Sequence, residues 1–438
     1  MRFLSHFSMA VALAAVGSLT VTALPQEASA AKKKKGKKDK APKIKLSKEV
    51  QAQVGAIQAA MADDPATAKP LVDTLLAQPL TGDDQFVAGQ LAIQLGTALK
   101  DTSYQEKGIK ASLASGKTSA EQAPQFNFFA GNFAYSAGRY AEATQSFQTA
   151  YDLGYRKNNV GALIAEAYFK QNMFQQGLTA LDRTMADMNT AGTKAPQDWY
   201  RRGAGVAMKS KLPGAAGTWT YKLVEAYPNG ENWRAALSVY RDAATPKIDD
   251  QQNLELMRLM RKAGAMESER DYFEYADAAG PRKLPGEVVS ILEEGIAKGA
   301  VRPGTSYTKE TLALARRSVG ADRAGLPISE RDAGRSANGK IALSTADAYL
   351  SYSNYRKAAE LYQTAMAKGG IDTARAQIGL GISRAGEGDW QGAKDAFASV
   401  SGQRKSIANF WTLWIDQQKL GATPEVAPAA AVAPASES

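Results

Sequence analysis

Three short motifs have residue types and spacings that other proteins use for chemistry. Residues 111–118 read ASLASGKT, a loose form of a phosphate-binding loop. Residues 306–309 read SYTK, the Ser-x-x-Lys spacing of penicillin-recognising serine enzymes. Glu293 and Glu294 are adjacent acids, and glycosidases use two carboxylates placed across a cleft. These motifs are the candidates for phosphate binding, acyl transfer and glycoside hydrolysis.

Each motif lacks the surroundings that its chemistry needs. A phosphate-binding loop follows a strand and opens a helix, whereas residues 111–118 end a helical pattern with Gly116 as the residue after the helix. The Ser-x-x-Lys motif has neither the S-D-N nor the K-T-G element that accompanies it in those enzymes. Adjacent acids on a polar helix face are solvated charge. We therefore expect a protein that is not an enzyme, with no catalytic residue and no cofactor.

The composition removes further classes of chemistry. The sequence has no cysteine, and its one histidine is His6. Without these residues the mature chain cannot build a Ser-His-Asp triad, a Cys-His nucleophile, a structural zinc site or a disulfide framework. No Asp-rich loop of the calcium-binding kind is present either. We expect no metal site.

The positive charge is concentrated in one short segment. The net charge is +10, and residues 31–48 contain ten lysines and one aspartate. The rest of the chain is close to neutral, which argues against a nucleic-acid-binding face. The lysines nearest the start of this segment are candidates for binding an anionic envelope polymer or lipid, with a soluble spacer as the alternative. They are Lys32, Lys33, Lys34, Lys35, Lys37, Lys38 and Lys40.

The N-terminus is typical of a secretory signal. Arg2 precedes an apolar stretch from Phe7 to Leu19, and Ala28-Ser29-Ala30 is an A-x-A cleavage site. We predict a signal peptide over residues 1–30, cleaved near Ala30, with an uncleaved membrane anchor as the alternative. The mature chain should then have no transmembrane helix and be periplasmic or secreted, in a Gram-negative cell envelope.

The region from 49 to 421 is predicted to be helical throughout. Ala-rich segments with apolar residues at i, i+3, i+4 and i+7 alternate with Gly, Pro, Asn and Asp, and the alternation typical of strands is nearly absent. Residues 31–48 have no apolar period and are predicted to be disordered. Residues 422–438 are rich in Ala and Pro and are predicted to form a second disordered tail.

An internal repeat runs through the helical region, with small residues where helices meet and aromatic residues seven apart on one face. The first clear copy contains Gly131, Gly138, Tyr140, Ala143, Phe147 and Ala150. The second contains Ala165, Asn172, Phe174, Gly177, Leu181 and Thr184, and the third contains Ala204, Pro213, Ala216, Leu223 and Pro228. Two later copies contain Ala346, Tyr355, Ala358, Tyr362 and Ala365, then Gly381, Gly388, Trp390, Ala393, Phe397 and Val400.

This pattern resembles the tetratricopeptide repeat family, whose unit is about 34 residues long. The resemblance is clear over about 124–230 and 339–407, with degenerate repeats elsewhere. Residues 231–270 and the loop-rich segment 300–338 do not follow the repeat. The resemblance implies an all-α fold, an α-solenoid of helix pairs forming a right-handed superhelix. The stack needs a terminal cap, which we place in a last helix carrying Ile407, Phe410, Trp411 and Trp414.

In the resembled family the first helix of each pair lines a concave groove. The matching positions give a set of candidate partner-binding residues: Phe128, Asn132, Tyr135, Glu166, Phe169, Lys170, Arg201 and Arg202. The family's clamp for a peptide carboxylate uses Lys and Asn, and this sequence keeps only Asn132 and Arg202 at those positions. The groove could instead hold an extended peptide between aromatic rings and arginines, with a purely solvated groove as the alternative.

These inferences predict a non-enzymatic interaction scaffold of the periplasm or cell envelope that binds a protein or peptide in its groove. The alternative is a binder of anionic envelope polymer or lipid, acting through the Lys-rich segment and the groove.

Overall fold

The computed structural model describes residues 44–244 and 246–419, and every regular element in these residues is helical. This confirms the all-α prediction. The chain divides into two compact units, residues 1–195 and 196–438.

Several predicted segments lie outside the described residues. These are the signal peptide, the polyanion-binding candidates Lys32, Lys33, Lys34, Lys35, Lys37, Lys38 and Lys40, and the C-terminal tail from 422 to 438.

The first unit contains eight α-helices and a short 3₁₀-helix in its described residues. The α-helices are α1 (Lys48–Asp63), α2 (Lys69–Leu76), α3 (Gly82–Ala98), α4 (Thr102–Ala114), α5 (Ala123–Ser136), α6 (Tyr140–Asp152), α7 (Val160–Lys170) and α8 (Phe174–Thr190). The 3₁₀-helix is Pro65–Ala68.

The start of the first unit corrects the predicted end of the disordered segment at residue 48. The backbone N–H groups of Lys45 and Ser47 donate to the carboxylates of Asp83 and Asp84, each over 2.9 Å. The Ser47 hydroxyl then accepts from the first turn of α1, as an N-cap residue does. Residues 44–48 are therefore fixed to α3, and the helical region begins earlier than predicted.

Close contact between paired helices explains the small and aromatic residues of the repeat. Phe147 on α6 is completely buried, and a Cβ atom added to Gly131 on α5 would overlap its ring. Gly138 turns the chain between the two helices with a φ of +76°, which favours glycine. This contact accounts for the small residue at 131 and the aromatic residue at 147 in the repeat, and the turn accounts for the glycine at 138.

The second unit contains twelve α-helices and one 3₁₀-helix in its described residues. They begin with α9 (Gln197–Lys209), α10 (Pro213–Ala226), α11 (Gly230–Ala243), α12 (Asp250–Lys262), α13 (Glu269–Ala279) and α14 (Pro285–Ala297). They continue with α15 (Ser306–Arg335), α16 (Lys340–Ser351), α17 (Tyr355–Lys368), α18 (Thr373–Glu387), α19 (Trp390–Ala398) and α20 (Lys405–Lys419). The 3₁₀-helix Gly402–Arg404 leads directly into α20.

The same contact recurs in the second unit, with one shift in phase. Phe397 on α19 is buried against Gly381 on α18, and both residues belong to the last clear copy of the repeat. On α9 and α10, however, the contact is between Gly203 and Trp219, and Gly203 lies one residue before Ala204, the small residue of the third clear copy of the repeat. The third clear copy of the repeat therefore begins one residue earlier than predicted.

Helix α15 corrects the prediction of a loop-rich segment over 300–338. It is a single helix of 30 residues with Pro327 in its interior. Thr305 caps its N-terminus, and Leu312, Ala315 and Leu326 are buried along one face. Glycine costs about 1 kcal/mol in a helix interior and proline about 3 kcal/mol. Burial of the apolar face overrides these local preferences, which the sequence prediction followed.

The last helix closes the second unit on itself. Trp411 stacks on Phe397 with ring centres 5.9 Å apart, so α20 covers the last helix pair as predicted. The same helix also reaches the beginning of the unit, because Phe410 lies 5.3 Å from Tyr221 and 5.6 Å from Tyr240, measured between ring centres. Helix α20 therefore joins the two ends of the second unit.

Candidate functional site

The predicted aromatic floor of the groove in the first unit is wrong. Phe128 is 2% exposed and its ring stacks on that of Tyr155, with ring centres 4.6 Å apart. Phe169 is 7% exposed, and its ring fills the space beside Gly177 on α8. Both rings pack between helices, because burying a ring of this size contributes more to folding than exposing it in a groove. Neither ring can receive a partner.

The other predicted groove residues of the first unit are polar and accessible. Asn132 and Tyr135 on α5 are half-buried, as is Glu166 on α7. Lys170, one turn beyond Glu166, is exposed. The Tyr135 ring packs edge-on against Tyr140, which orients it. The first helices therefore present amide, phenol, carboxylate and ammonium groups, which suit hydrogen bonding better than apolar docking.

The two arginine candidates belong to the second unit. Arg201 is exposed and forms an ion pair of 3.0 Å with Glu231 at the start of α11. Arg202 is half-buried. Arg201 is thus already engaged by a carboxylate of its own chain.

We expect Arg201→Ala to change the free energy of unfolding by less than about 1 kcal/mol, because exposed ion pairs are screened by solvent. Chemical denaturation of Arg201→Ala, Glu231→Ala and the double variant measures the coupling between the two side chains. A coupling energy well above about 1 kcal/mol would contradict this expectation.

A groove in the first unit was missed by the sequence analysis. A cavity of about 300 Å³ lies over α7 between the second helices α6 and α8. We call it the second-helix groove; it is lined by Gln148, Tyr151, Ile164, Tyr168, Gln175, Gln176, Thr179, Ala180, Arg183 and Thr184. The polar residues that α8 contributes follow a helical spacing, but the same pattern is typical of any solvated helix face.

A larger cavity of about 490 Å³ lies beside the starts of α16 and α18. Its charged groups are mostly engaged within the protein, because Arg375 donates to Asp347 and Asp372 accepts from Arg404. Lys340 is the lining cation that has no carboxylate partner among the described residues. Internal pairing leaves this cavity with little charge to offer a ligand.

The second unit buries an ion pair with a phenol. Arg258 donates two hydrogen bonds to Glu287, of 2.8 and 2.7 Å, and the Tyr275 hydroxyl donates a third of 2.7 Å. Burial works to raise the pKa of Glu287, but the Arg258 guanidinium, the Tyr275 hydroxyl and Arg261 together outweigh burial, and the pKa lies below its ordinary value. The pair is therefore charged at neutral pH and out of reach of a substrate.

A second charged cluster surrounds Arg404, in the turn before α20; Arg404 and Glu255 are buried in it, whereas Asp249 and Asp372 are about half exposed. Its guanidinium bonds Asp372 over 2.7 Å and Glu255 over 3.2 Å, and it pairs with Asp249 over 3.4 Å. Three carboxylates thus share one guanidinium. Burial, with a smaller contribution from Asp249, raises the pKa of Glu255 to about 7, although Arg404 and Arg258 oppose the rise.

The raised pKa of Glu255 predicts that the second unit becomes less stable as the pH rises from about 5 to about 7. In this range the folded protein keeps the Glu255 proton, whereas the unfolded chain has lost it near the ordinary value of 4.5. Unfolding then releases a proton, which favours the unfolded state by up to about 1.4 kcal/mol per pH unit.

Urea unfolding of the wild type and Glu255→Gln between pH 5 and 8 measures this slope. Because His6 is the one histidine of the sequence, few other groups titrate in this window. The slope should disappear in Glu255→Gln. An identical slope in both proteins would assign it to another group.

The residues of the three short motifs lie at helix ends or in ion pairs with neighbouring helices. Gly116 follows α4 with a φ of +67°, as the glycine that ends a helix does. Ser306 and Lys309 lie in the first turn of α15. Glu293 pairs with Arg316 over 2.8 Å, whereas Glu294 pairs with Arg261 over 2.7 Å, so the adjacent acids have separate partners.

Two properties bear on metals and membranes. Within residues 44–244 and 246–419, no three acidic, histidine or cysteine side chains come together in a way that could hold a metal ion. None of the helices in the same residues combines the length and hydropathy needed to cross a bilayer.

No protein-family model and no curated protein sequence matches the chain. Solved helical-repeat proteins align with it at low identity. A tetratricopeptide repeat protein from Parabacteroides merdae is 11% identical, with 67% of this chain and 99% of the other covered and a TM-score of 0.23. The TPR2AB domain of yeast Sti1 in complex with pHSP90 is 13% identical, with 69% and 99% covered and a TM-score of 0.18. The pentatricopeptide repeat protein PPR10 from maize is 15% identical, with 83% and 51% covered and a TM-score of 0.27.

At these TM-scores the alignments carry no argument of their own, so the assignment rests on the chain itself. Antiparallel helix pairs follow one another along both units, and glycine meets an aromatic ring within the pairs at Gly131, Gly203 and Gly381. The described residues therefore form an all-α array of helix pairs with recurring glycine–aromatic contacts, which is the architecture that the repeat in the sequence predicts.

Proposed function

We propose that this protein is a non-enzymatic interaction scaffold that binds a partner protein through the surfaces of its helix pairs. The observation that carries the proposal is the lining of the second-helix groove, where amide and guanidinium groups stand on a small aromatic and aliphatic floor. Such groups bind polypeptide by hydrogen bonding and charge. Glu255, whose pKa is raised to about 7, does not line this groove. Its side chain is 1% exposed and accepts a hydrogen bond from Arg404.

The first-helix surface of the first unit supports the same function. Asn132, Tyr135, Glu166 and Lys170 supply polar groups on two consecutive first helices. Stacked pairs repeat such a surface along the array, and extended partners are bound by surfaces of this kind. Neither surface depends on the rings of Phe128 and Phe169, so the burial of these rings leaves the proposed function intact.

The cell envelope is the proposed location, and the signal-like N-terminus supports it. The test is the intact mass of the protein recovered from the envelope fraction of the source cells. A product that begins at Ala31 supports export with cleavage after Ala30. A product that retains residues 1–30 contradicts cleavage and supports an uncleaved membrane anchor.

The second candidate function is binding of an anionic envelope polymer or lipid, and the ten lysines between residues 31 and 48 favour it. Such binding depends on counterion release and screening, so it weakens steeply with salt. A contact made through a packed protein interface depends on salt much less.

Photo-crosslinking separates the two functions. A photoreactive amino acid replaces Lys170 or Gln176 in the full chain, and a third variant carries it at Asp63, an exposed control position at the end of α1. The scaffold function predicts a discrete protein adduct from Lys170 or Gln176, absent from Asp63, that persists at about 0.5 M salt, where the Debye length is only a few ångströms. Adducts with polymer or lipid alone that disappear at this salt concentration would replace it with the second function, and the absence of adducts from both positions would refute it.

A further inference from the structure

The second-helix groove has a rim and a floor of different chemistry. Helix α8 places Gln175, Gln176, Thr179 and Arg183 along one exposed side. The floor is formed by partly or fully buried side chains from α6, α7 and α8: Tyr151, Ile164, Tyr168, Ala180 and Thr184. A polar rim above a small, partly apolar floor is the usual composition of a ligand site, and about 300 Å³ is at the lower end of its size range.

The rim offers amides that the protein itself does not use. The side-chain amides of Gln175 and Gln176 have no hydrogen-bond partner among the described residues, and both side chains are exposed. Gln148, across the groove on α6, donates to Asp152 over 2.9 Å and keeps acceptor capacity. A side-chain amide presents one acceptor and two donors, which match the C=O and N–H groups of an extended backbone. The rim is therefore suited to a peptide main chain.

The groove also holds a guanidinium that is fixed in place but weakly paired. Arg183 lies 5.2 Å from the centre of the Tyr151 ring, and its distance to Asp152 is 3.6 Å. More than half of each side chain of this pair is exposed. The aromatic contact orients the guanidinium, and the long ion pair leaves its fork available to a second carboxylate at little cost.

Two guanidinium groups and two carboxylates surround the Tyr151 ring, and the two guanidinium groups lie at different distances from it. Arg156 lies 3.7 Å from the centre of the Tyr151 ring and donates to the Tyr151 carbonyl. The Tyr151 hydroxyl donates to Asp187, so that carboxylate is engaged as well. Arg183 lines the second-helix groove and Arg156 does not, so Arg183 is the guanidinium that an acid in the groove would meet.

The shape of the groove favours an extended occupant over a helix. A helix with its side chains is about 10–12 Å across, and a helix-in-groove complex needs a continuous apolar floor. Here the apolar floor is short and amides border it. An extended strand can place its main chain along the amides and one side chain on Arg183.

We propose that the second-helix groove binds an extended segment of a partner protein, with the side-chain amides of Gln175 and Gln176 on its backbone and Arg183 on an Asp or Glu side chain. This inference rests on the proposed scaffold function and names a face of the helix pairs that the sequence analysis did not consider. The face is formed by second helices, whereas the predicted groove uses first helices.

The test uses the full chain and a phage-displayed library of random twelve-residue peptides. The groove variant is Gln175→Ala/Gln176→Ala/Arg183→Ala, whose three side chains are exposed, so folding should be retained and is checked by circular dichroism. The matched control is Gln94→Ala/Arg139→Ala, which removes an exposed amide and a guanidinium of the same unit outside the groove. Arg183→Lys keeps the charge but loses the planar fork.

The proposal predicts selected peptides that carry Asp or Glu. Their binding should fall at least tenfold in the groove variant, fall partly in Arg183→Lys and stay unchanged in the control. Failure to select any peptide would overturn it, as would peptides without an acid or peptides that bind the groove variant as well as the wild type.

The outcome is separable from that of the scaffold function. Peptides that bind elsewhere, together with a protein adduct from Lys170, would leave the scaffold function standing while removing this groove from it. Peptides whose binding depends on the groove, found without any protein adduct in cells, would support peptide binding by this groove and refute the scaffold function.

Discussion

Replacing Phe410 by alanine is expected to destabilise the second unit by about 3–5 kcal/mol. The Phe410 ring is 4% exposed and packs among Tyr221, Trp233 and Tyr240 on α10 and α11. Removing it leaves a cavity lined by these large side chains, which cannot collapse to fill the space. Two-state analysis of chemical denaturation gives the free energy of unfolding.

The location of the effect matters more than its size. In an open helical array each pair contacts only its neighbours, so loss of a contact in α20 would loosen the last pairs first. Here Gln417 on α20 accepts from the Trp233 indole over 3.1 Å and donates to the Val224 carbonyl over 2.9 Å. We therefore expect amide exchange in Phe410→Ala to rise in α10–α12 as well as in α19 and α20.

Phe410→Leu is the matched variant, because it keeps most of the apolar volume. It should cost clearly less than Phe410→Ala and produce the same regional pattern of exchange. Faster exchange confined to α19 and α20, with α10–α12 unchanged, would show that the closure contributes nothing to the stability of the first helices of the unit.

The repeat was predictable from the sequence because its signal is local. Gly131 and Phe147 lie on the two helices of one pair, as do Gly381 and Phe397, and the same packing contact recurs from pair to pair. The third copy of the repeat was placed one residue too late. In the pattern, either Trp219 or the adjacent Thr220 could occupy the position that packs against the first helix. A packing contact decides that position, and the sequence alone contains no such contact.

Contacts between residues far apart in the sequence were not predictable, and neither was the helix that forms in α15 against local preferences. The hydrogen bond between Trp233 and Gln417 joins residues 184 positions apart and leaves no periodic trace in the sequence. In α15, local preferences against helix at Gly320, Gly325 and Pro327 lose to burial of one face.

The candidate site was predicted only in part, for a similar reason. The family resemblance placed Phe128 and Phe169 at accessible positions, but both rings are buried between helices. Gln175, Gln176 and Arg183 were not selected because exposed polar residues on a second helix look like ordinary solvated surface. Their significance depends on the cavity beside them, which arises only when three helices pack together.

Replacing Glu287 by alanine should destabilise the second unit by about 3–5 kcal/mol, because Arg258 would remain buried without its partner. Both side chains of the pair are 6% exposed, so water cannot take over the lost hydrogen bonds. The Tyr275 hydroxyl would lose its acceptor as well, and a buried unsatisfied hydroxyl costs about 1–3 kcal/mol.

The comparison that tests this explanation replaces the whole cluster. In Arg258→Met/Glu287→Leu/Tyr275→Phe, no buried charge or hydroxyl of the cluster remains, and apolar residues of similar length fill its space. Apolar replacement of a buried ion pair is often neutral or stabilising, so this triple variant should recover most of the stability lost in Glu287→Ala. Urea denaturation followed by circular dichroism measures all three proteins. A triple variant as unstable as Glu287→Ala would show that the cluster's own hydrogen bonds, rather than the penalty for an unpaired charge, hold α12 against α14.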